Sequence, residues 1–351
     1  MTAVGTPPGV VAVDPRTDPR WARLAAGPEG SLFTSPPWIH AVSETYGFQP
    51  VAQVALADGA PVGGVSWVPV HDMRGYRLVS LPFCDRADPL VRNPAIWRLL
   101  SADAVDSGHP FTIRCLDDRV PCFDSRLRWV GEAAWHGTSL AVPADRLWSQ
   151  LAPAARRNVR MAERSGVRVS LERGLEAVRV FHQLHVRLRK RKYRLLAPPL
   201  EFFERIWGLF AGRDAIRTAL ADVDGVAVAG AMFLVWNDVA YYKFGASLAE
   251  YLPLRPNDAI AWAALRWAQN CGLTLLDWGL SDLDQPGLIA YKRKWSADGR
   301  RIVMLQSGDA DVGRQPMTDG ILRQLTTLLT DERLPDDITA RAGEVLYRLF
   351  C

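Results

Sequence analysis

The sequence of 351 residues is short of cysteine and lysine and has no long apolar run. Five scattered cysteines without a Cys-x-x-Cys pair argue against a disulfide framework and a zinc site. No stretch provides the ~20 apolar residues of a membrane-spanning helix. The N-terminus lacks the basic start and apolar core of a signal peptide. We therefore expect a cytoplasmic protein without a bound metal or membrane span.

The scarcity of lysine singles out the few positions that keep it. Most of the 42 basic residues are arginine, and a compact ammonium group does not replace a planar guanidinium. Net charge is only +4, so the whole chain is not a polycation. Lysine occurs at five positions, three of them in the segment 241–295: Lys190, Lys192, Lys243, Lys292 and Lys294.

A faint internal repeat indicates duplication. Residues 58–70 and 224–236 both begin with Asp-Gly after a strand-like run, and both place Val and Gly at matching positions. Asp-Gly between such runs is a strong hairpin signal. We predict two α/β units, 1–135 and 136–308, followed by a helical tail at 309–351.

The apolar spacing also predicts individual elements. We expect one helix over 143–165, another over 257–271, and a loop that carries Lys292 and Lys294. Asn257, after Leu-Arg-Pro, is predicted either to cap the second helix or to bind a ligand.

A series of short motifs resembles the Fem-type (FemABX-like) branch of the GNAT superfamily over roughly residues 30 to 300. In chain order the motifs are FTSPPW, LVSLPFCD, RRNVRMAERSGV, YYKFGAS with RPN, LLDWG and YKRKW. The resemblance implies an α/β (α+β) fold of two tandem GNAT-like domains without a coiled-coil arm. Each domain would be a mixed, mostly antiparallel sheet flanked by helices.

The resemblance also implies transfer of an acyl group to an amine, with no bound cofactor. The expected partners are aminoacyl-tRNA as co-substrate and a small peptide or amine as acceptor, from a natural-product peptide or a cell-wall precursor. Two departures from the family pattern matter. No lysine follows Trp38 closely, which argues against a nucleotide-diphosphate-linked acceptor, and Ser296 stands where the family pattern after Tyr291 has glycine.

Aminolysis of an ester passes through an oxyanion and releases a proton. Lys292, which matches the family lysine, is the candidate for oxyanion stabilisation or donor-phosphate binding. Asp277 is the candidate proton acceptor, with a turn-capping role as the alternative. Cationic side chains at 187–194 suit phosphates, or form a solvated face. The predicted substrate-binding residues are Trp38, Arg189, Arg191, Tyr242, Lys243, Gly245, Asn257, Tyr291 and Lys294.

Two other functions stay open from the sequence. An acyl-CoA-dependent N-acyltransferase is the enzymatic alternative, although neither half contains a convincing Arg/Gln-x-x-Gly-x-Gly/Ala pyrophosphate loop before a helix. The second alternative is a non-catalytic GNAT pair that binds tRNA or a nucleotide.

Overall fold

The computed structural model describes residues 8–295, 297–307 and 316–351. The described chain forms two compact units, one within Met1–Ala134 and Arg300–Thr318, the other within Trp135–Gly299 and Asp319–Cys351. Each unit combines helices with a sheet, which confirms the predicted α/β class. Within the described ranges, no helix has the length and apolar character that a membrane span requires.

The first unit is built on the sheet order β1-β2-β3-β4-β5-β12. Strands β1 to β4 are antiparallel neighbours, β5 runs parallel to β4, and β12 returns antiparallel to β5. The elements are β1 Gly9–Val13, α1 Pro19–Ala25, α2 Pro36–Tyr46, β2 Val51–Ala57, β3 Ala60–Asp72, β4 Gly75–Val79, α3 Pro94–Asp106, β5 Phe111–Leu116, the 128–134 part of β6 Arg128–Ser139, and most of β12 Asp298–Gln306.

The second unit has the sheet order β6-β11-β10-β9-β8-β7. Helix α8 packs with α5 across the sheet from α6. The elements after β6 are α4 Ala144–Gln150, α5 Pro153–Arg164, β7 Arg168–Glu172, α6 Leu175–Leu188, a π-helical turn Arg189–Tyr193, α7 Leu200–Ala211, β8 Ile216–Val223, β9 Val226–Trp236, β10 Val239–Ser247, α8 Pro256–Asn270, β11 Leu275–Asp282, α9 Pro286–Arg293, α10 Pro316–Leu329 and α11 Asp336–Leu346.

Both Asp-Gly pairs form the predicted hairpin turns. Asp58 and Gly59 join β2 to β3, and Asp224 and Gly225 join β8 to β9. All four residues have positive φ, between 49° and 83°. Positive φ at both central residues is the geometry that two-residue hairpins favour and that Asp-Gly tolerates. The repeat in the sequence therefore corresponds to one equivalent hairpin in each unit.

Two predicted elements differ from the structure. The single helix expected over 143–165 is two helices, because Pro153 begins α5 and the residue before a proline is driven out of the helical region. The expected loop around Lys292 is the helix α9, which Pro286 opens at a position where its missing N–H costs nothing.

Candidate functional site

Strands β10 and β11 open a cleft in the second unit. They pair in parallel over three residues only, and the last pair is Tyr241 with Asp277. Beyond that pair β10 continues to Ser247, still bonded to β9 on its other side. The two strands thus separate at Tyr242, and the space between them is open at the carboxyl ends of both strands.

Two adjoining cavities of about 330 and 510 Å³ occupy this region. They share Leu188, Lys192, Ser247 and Asn257 in their walls. Five residues predicted to bind substrate line one or both cavities: Arg191, Tyr242, Gly245, Asn257 and Tyr291.

A polar network forms the floor of the cleft. The Tyr291 hydroxyl donates to the carbonyl of Asn257 at 2.9 Å, and the Asn257 amide donates to the Ser247 hydroxyl at 3.2 Å. The Lys294 ammonium bonds the buried carboxylate of Asp258 and lies 4.2 Å from the centre of the Tyr291 ring. Burial lowers the pKa of Lys294, and the charge of Asp258 partly offsets this. The network fixes Asn257 and Tyr291 where they face the cleft.

Asn257 does not cap α8. The position before the helix is Arg255, whose φ is +63°, and Asn257 is the second helical residue. Its side chain instead donates a hydrogen bond to Ser247 and so links α8 to the end of β10 across the cleft floor.

The cationic segment at 187–194 divides between two sides. Arg187, Arg191 and Lys192 are exposed and line the 330 Å³ cavity. Arg189 instead donates to the carbonyl of Leu196 at 2.9 Å and lies over the ring of Tyr347. Arg189, predicted to bind substrate, is therefore turned towards the C-terminal helices.

Lys292 and Asp277 lie behind the cleft rather than in its wall. The buried Lys292 ammonium donates to the carbonyls of Gly279 at 3.1 Å and Leu280 at 2.7 Å. The buried Asp277 carboxylate accepts from the N–H of Gly279 at 2.7 Å. Gly279 has a φ of +69°, so both side chains hold an irregular turn within β11. Asp277 thus occupies the turn-capping role that the sequence offered as its alternative.

A buried histidine accompanies Lys292. His136, on β6, has no exposed surface, and neither ring nitrogen hydrogen-bonds a residue in the described part of the chain. Burial lowers the pKa of His136 to about 4, and the charges of Lys292 and Arg293 act in the same direction. His136 is therefore neutral at physiological pH.

Two further residues predicted to bind substrate do not line either cavity. Lys243 is the extra residue of a β-bulge in β10, with its ammonium 5.5 Å from the ring centre of Phe244. Trp38 is fully buried in α2 of the first unit, edge to face against Phe33. Because Trp38 has no exposed surface, it has a packing role.

Several lining residues were not predicted as site residues from the sequence. Ser247 ends the YYKFGAS motif but has an ordinary surface type. Tyr193 and Gln285 belong to no motif, and only the topology brings the three residues together. Asp258 was not predicted, because no sequence pattern indicates that it forms a buried ion pair with Lys294. Arg187 and Lys192, which also line the cavities, belong to the cationic run at 187–194 that the sequence predicted to suit phosphates. The other unpredicted lining residues are Leu188, Ala246, Leu248, Ala249, Glu250, Leu252, Gly287 and Leu288.

Comparison with known proteins identifies the kind of domain that carries this cleft. A family described as "Acetyltransferase (GNAT) domain" matches residues 149–293, which fall within the second unit. Lipid II:glycine glycyltransferase of Staphylococcus epidermidis is 30% identical over 88 residues, 23% of this chain and 21% of the relative. The Staphylococcus aureus protein of the same name is 30% identical over 78 residues, 20% and 18% of the two chains. Residues 149–293 are thus similar to GNAT domains, and a shorter stretch is similar to the lipid II:glycine glycyltransferases.

The matched region of this chain spans about a fifth of the length of those curated relatives. Solved structures share its fold more completely. The crystal structure of FemX superposes with a TM-score of 0.67 at 15% identity, over 84% of this chain and 96% of FemX. A tandem GNAT protein from the clavulanic acid biosynthesis pathway gives 0.53 at 14% identity, over 87% and 100%. These matches confirm the predicted fold of two GNAT-like domains.

Proposed function

We propose that this protein is an aminoacyltransferase that forms an amide bond, with aminoacyl-tRNA as donor and the amine of a peptide-like acceptor as nucleophile. The observation that carries the proposal is the cleft between β10 and β11. It has a basic rim and a floor of tyrosine and amide groups. A natural-product peptide fits the sequence better than a diphosphate-linked precursor, since no lysine follows Trp38 closely.

The rim suits a polyanionic donor. Arg187, Arg191 and Lys192 are exposed on one helical segment, and exposed cations of this kind attract phosphates at long range. The interior is less charged, because Lys294 is neutralised by Asp258. A nucleic acid would thus bind at the rim while its aminoacyl end reaches the tyrosines inside. The glycyltransferase name of the relatives supports transfer of an aminoacyl group.

An acyl-CoA donor is the second candidate, and one feature favours it. The N-terminus of α8 borders the cleft at Asn257, and helix N-termini bind phosphates through their free N–H groups. Two acidic groups weaken this case. Asp258 lies in the first turn, and Glu250 lines the same cavity. The carboxylate of Asp258 already interacts with the positive end of the helix, which makes that end less attractive to a phosphate.

A donor competition distinguishes the two. The protein is incubated with an amine-terminated peptide and either radiolabelled total aminoacyl-tRNA or labelled acetyl-CoA. We expect label on the peptide from aminoacyl-tRNA, abolished by ribonuclease. Transfer from acetyl-CoA alone would replace the proposal with the second candidate, and transfer from neither donor would contradict both.

A variant pair tests the role of the rim. Arg191→Ala/Lys192→Ala removes two rim charges, whereas Arg213→Ala/Arg266→Ala removes two exposed arginines that do not line the cavities. The first variant should weaken tRNA binding and lower the slope of log affinity against log salt by about one per lost phosphate contact. Equal losses in both variants would show that net charge, not the rim, governs binding.

A further inference from the structure

The β-bulge in β10 changes which side chains face the cleft. In a regular strand, residues two apart share a face. Here the ring of Tyr242 packs against those of Phe233 and Trp278, with ring centres 5.5 and 5.8 Å apart. The ring of Phe244 instead packs against that of Phe203 in α7, with ring centres 4.9 Å apart. The register shift between positions 242 and 244 separates the two rings. It thereby brings Tyr242 and Gly245 to one side of the strand.

Gly245 leaves room for the tyrosine ring rather than for a ligand. A Cβ at this position would lie only 1.8 Å from the hydroxyl oxygen of Tyr242. The phenol therefore lies along the strand with its hydroxyl over Gly245, at the wall of the 510 Å³ cavity. Any larger residue at 245 would displace the ring.

The three phenols of this cavity differ in what their hydroxyls do. Tyr291 donates to the carbonyl of Asn257, and Tyr193 is exposed at the cleft edge. The Tyr242 hydroxyl makes no hydrogen bond to any residue within the described ranges. Burial raises the pKa of Tyr242 to about 12, with a contribution from the nearby Tyr193. The group is thus a protonated donor near neutral pH.

Tyr242 also occupies the deepest point of the opening. It is the first residue of β10 after the last pair with β11, Tyr241 with Asp277. A chain that enters between the separated strands meets Tyr242 where the strands close. Lys292 does not line this cavity, and its buried ammonium is held by the carbonyls of Gly279 and Leu280.

Accordingly, and resting on the proposed function, we propose that Tyr242 is a catalytic residue whose hydroxyl donates a hydrogen bond to the carbonyl oxygen of the acyl donor. Negative charge develops on that oxygen when the amine attacks, and a positioned donor stabilises it. The amine nitrogen forms the new C–N bond, the donor C–O ester bond breaks, and the amine proton passes to the departing oxygen. Tyr242 keeps its proton throughout.

The test compares Tyr242→Phe with Tyr76→Phe, which removes the hydroxyl of an exposed tyrosine on β4 that lines neither cavity. Single-turnover rates and KM are measured with whichever donor, aminoacyl-tRNA or acetyl-CoA, the wild-type protein uses. We expect Tyr242→Phe to lower the rate of transfer about 100-fold with KM changed less than threefold, and Tyr76→Phe to stay within threefold of wild type. Unchanged thermal unfolding of both variants excludes a folding defect.

Three results would overturn the assignment, and they differ in what they refute. A wild-type protein inactive with both donors would refute the proposed function and the role of Tyr242 with it. An active wild type with an equally fast Tyr242→Phe variant would refute only the role of Tyr242. A raised KM with unchanged rate would likewise refute it, because it would place the hydroxyl in ground-state binding. Gly245→Ala, which displaces the ring, should reproduce the rate loss of Tyr242→Phe.

Discussion

Lys292 is one of five lysines in the chain, and backbone carbonyls surround its ammonium group. Because lysine is rare in the chain, the sequence analysis singled out Lys292 as a position where arginine would not be equivalent. The contacts of the Lys292 ammonium show a reason that the sequence could not reveal. A compact ammonium fits between the carbonyls of Gly279 and Leu280, next to the turn that Asp277 holds.

Lys292→Met should destabilise the second unit. The variant leaves two buried carbonyls without their charged donor, and hydrogen bonds to charged groups contribute ~1.5–3 kcal/mol each. We expect a loss of at least ~2 kcal/mol in the free energy of unfolding, measured by urea denaturation. Arg293→Met, at the exposed neighbouring position, is the control. Wild-type stability combined with lost transfer activity would instead support the catalytic role predicted from the sequence.

Among single residues, the sequence could predict those whose residue type itself favours a particular backbone conformation. Asp-Gly at 58 and 224 requires positive φ in any hairpin, so the turn follows from the residue types alone. Asn257 and Asp277 carry no such signature. Both types serve equally well as caps, turn residues or ligands, and the distinction depends on partners that are distant in the sequence.

The π-helical turn Arg189–Tyr193 is the element that shapes the basic rim. π-helical turns are uncommon and often occur at functional sites. This one directs Arg191 and Lys192 to the cleft while Lys190 is buried on the other side. The Lys190 ammonium bonds the carbonyl of Leu334 and the carboxylate of Asp336, at the start of α11. The C-terminal helix therefore anchors the segment that carries the rim.

Lys190→Ala should loosen this anchor. Removing one partner of a buried ion pair typically costs ~3–5 kcal/mol, and the partial exposure of Asp336 places the expected loss near the lower value. Thermal unfolding measures it, and affinity for tRNA should fall as well because the rim loses its support. Lys192→Ala is the control, since it should weaken tRNA binding without a stability loss. Equal unfolding of both variants would contradict the anchor.

Elements with strong periodicity were predictable, and their boundaries were less so. The spacing of apolar residues predicted α8, and the predicted helical tail at 309–351 contains α10 and α11. The π-helical turn was not predicted, because a run of arginine and lysine is compatible with any solvated helix. The helix α9 was missed because its residues are mostly exposed and give little periodic signal.

At the scale of the molecule, the chain passes between the two units three times. Strand β12 returns to the first unit, where residues 302–306 pair with residues 112–116 of β5. Helix α11 then packs on α6 in the second unit. The duplicated hairpins predicted two similar units, but nothing local in the sequence shows that residues after 299 belong to both.

This threading predicts different effects of two truncations. A chain that ends at Thr330 lacks α11 and the partners of Lys190, so only the second unit should open. A chain that ends at Gly299 also lacks β12, and β5 then loses five paired residues and the bond from Phe111 to Ser307. Hydrogen exchange should therefore quicken in α6 for both truncations but in β5 only for the shorter chain. The amides of β5 should exchange faster there because a strand that loses its neighbour opens locally. Unchanged protection of β5 in the shorter chain would contradict this prediction, since it would show that the first unit is stable without β12.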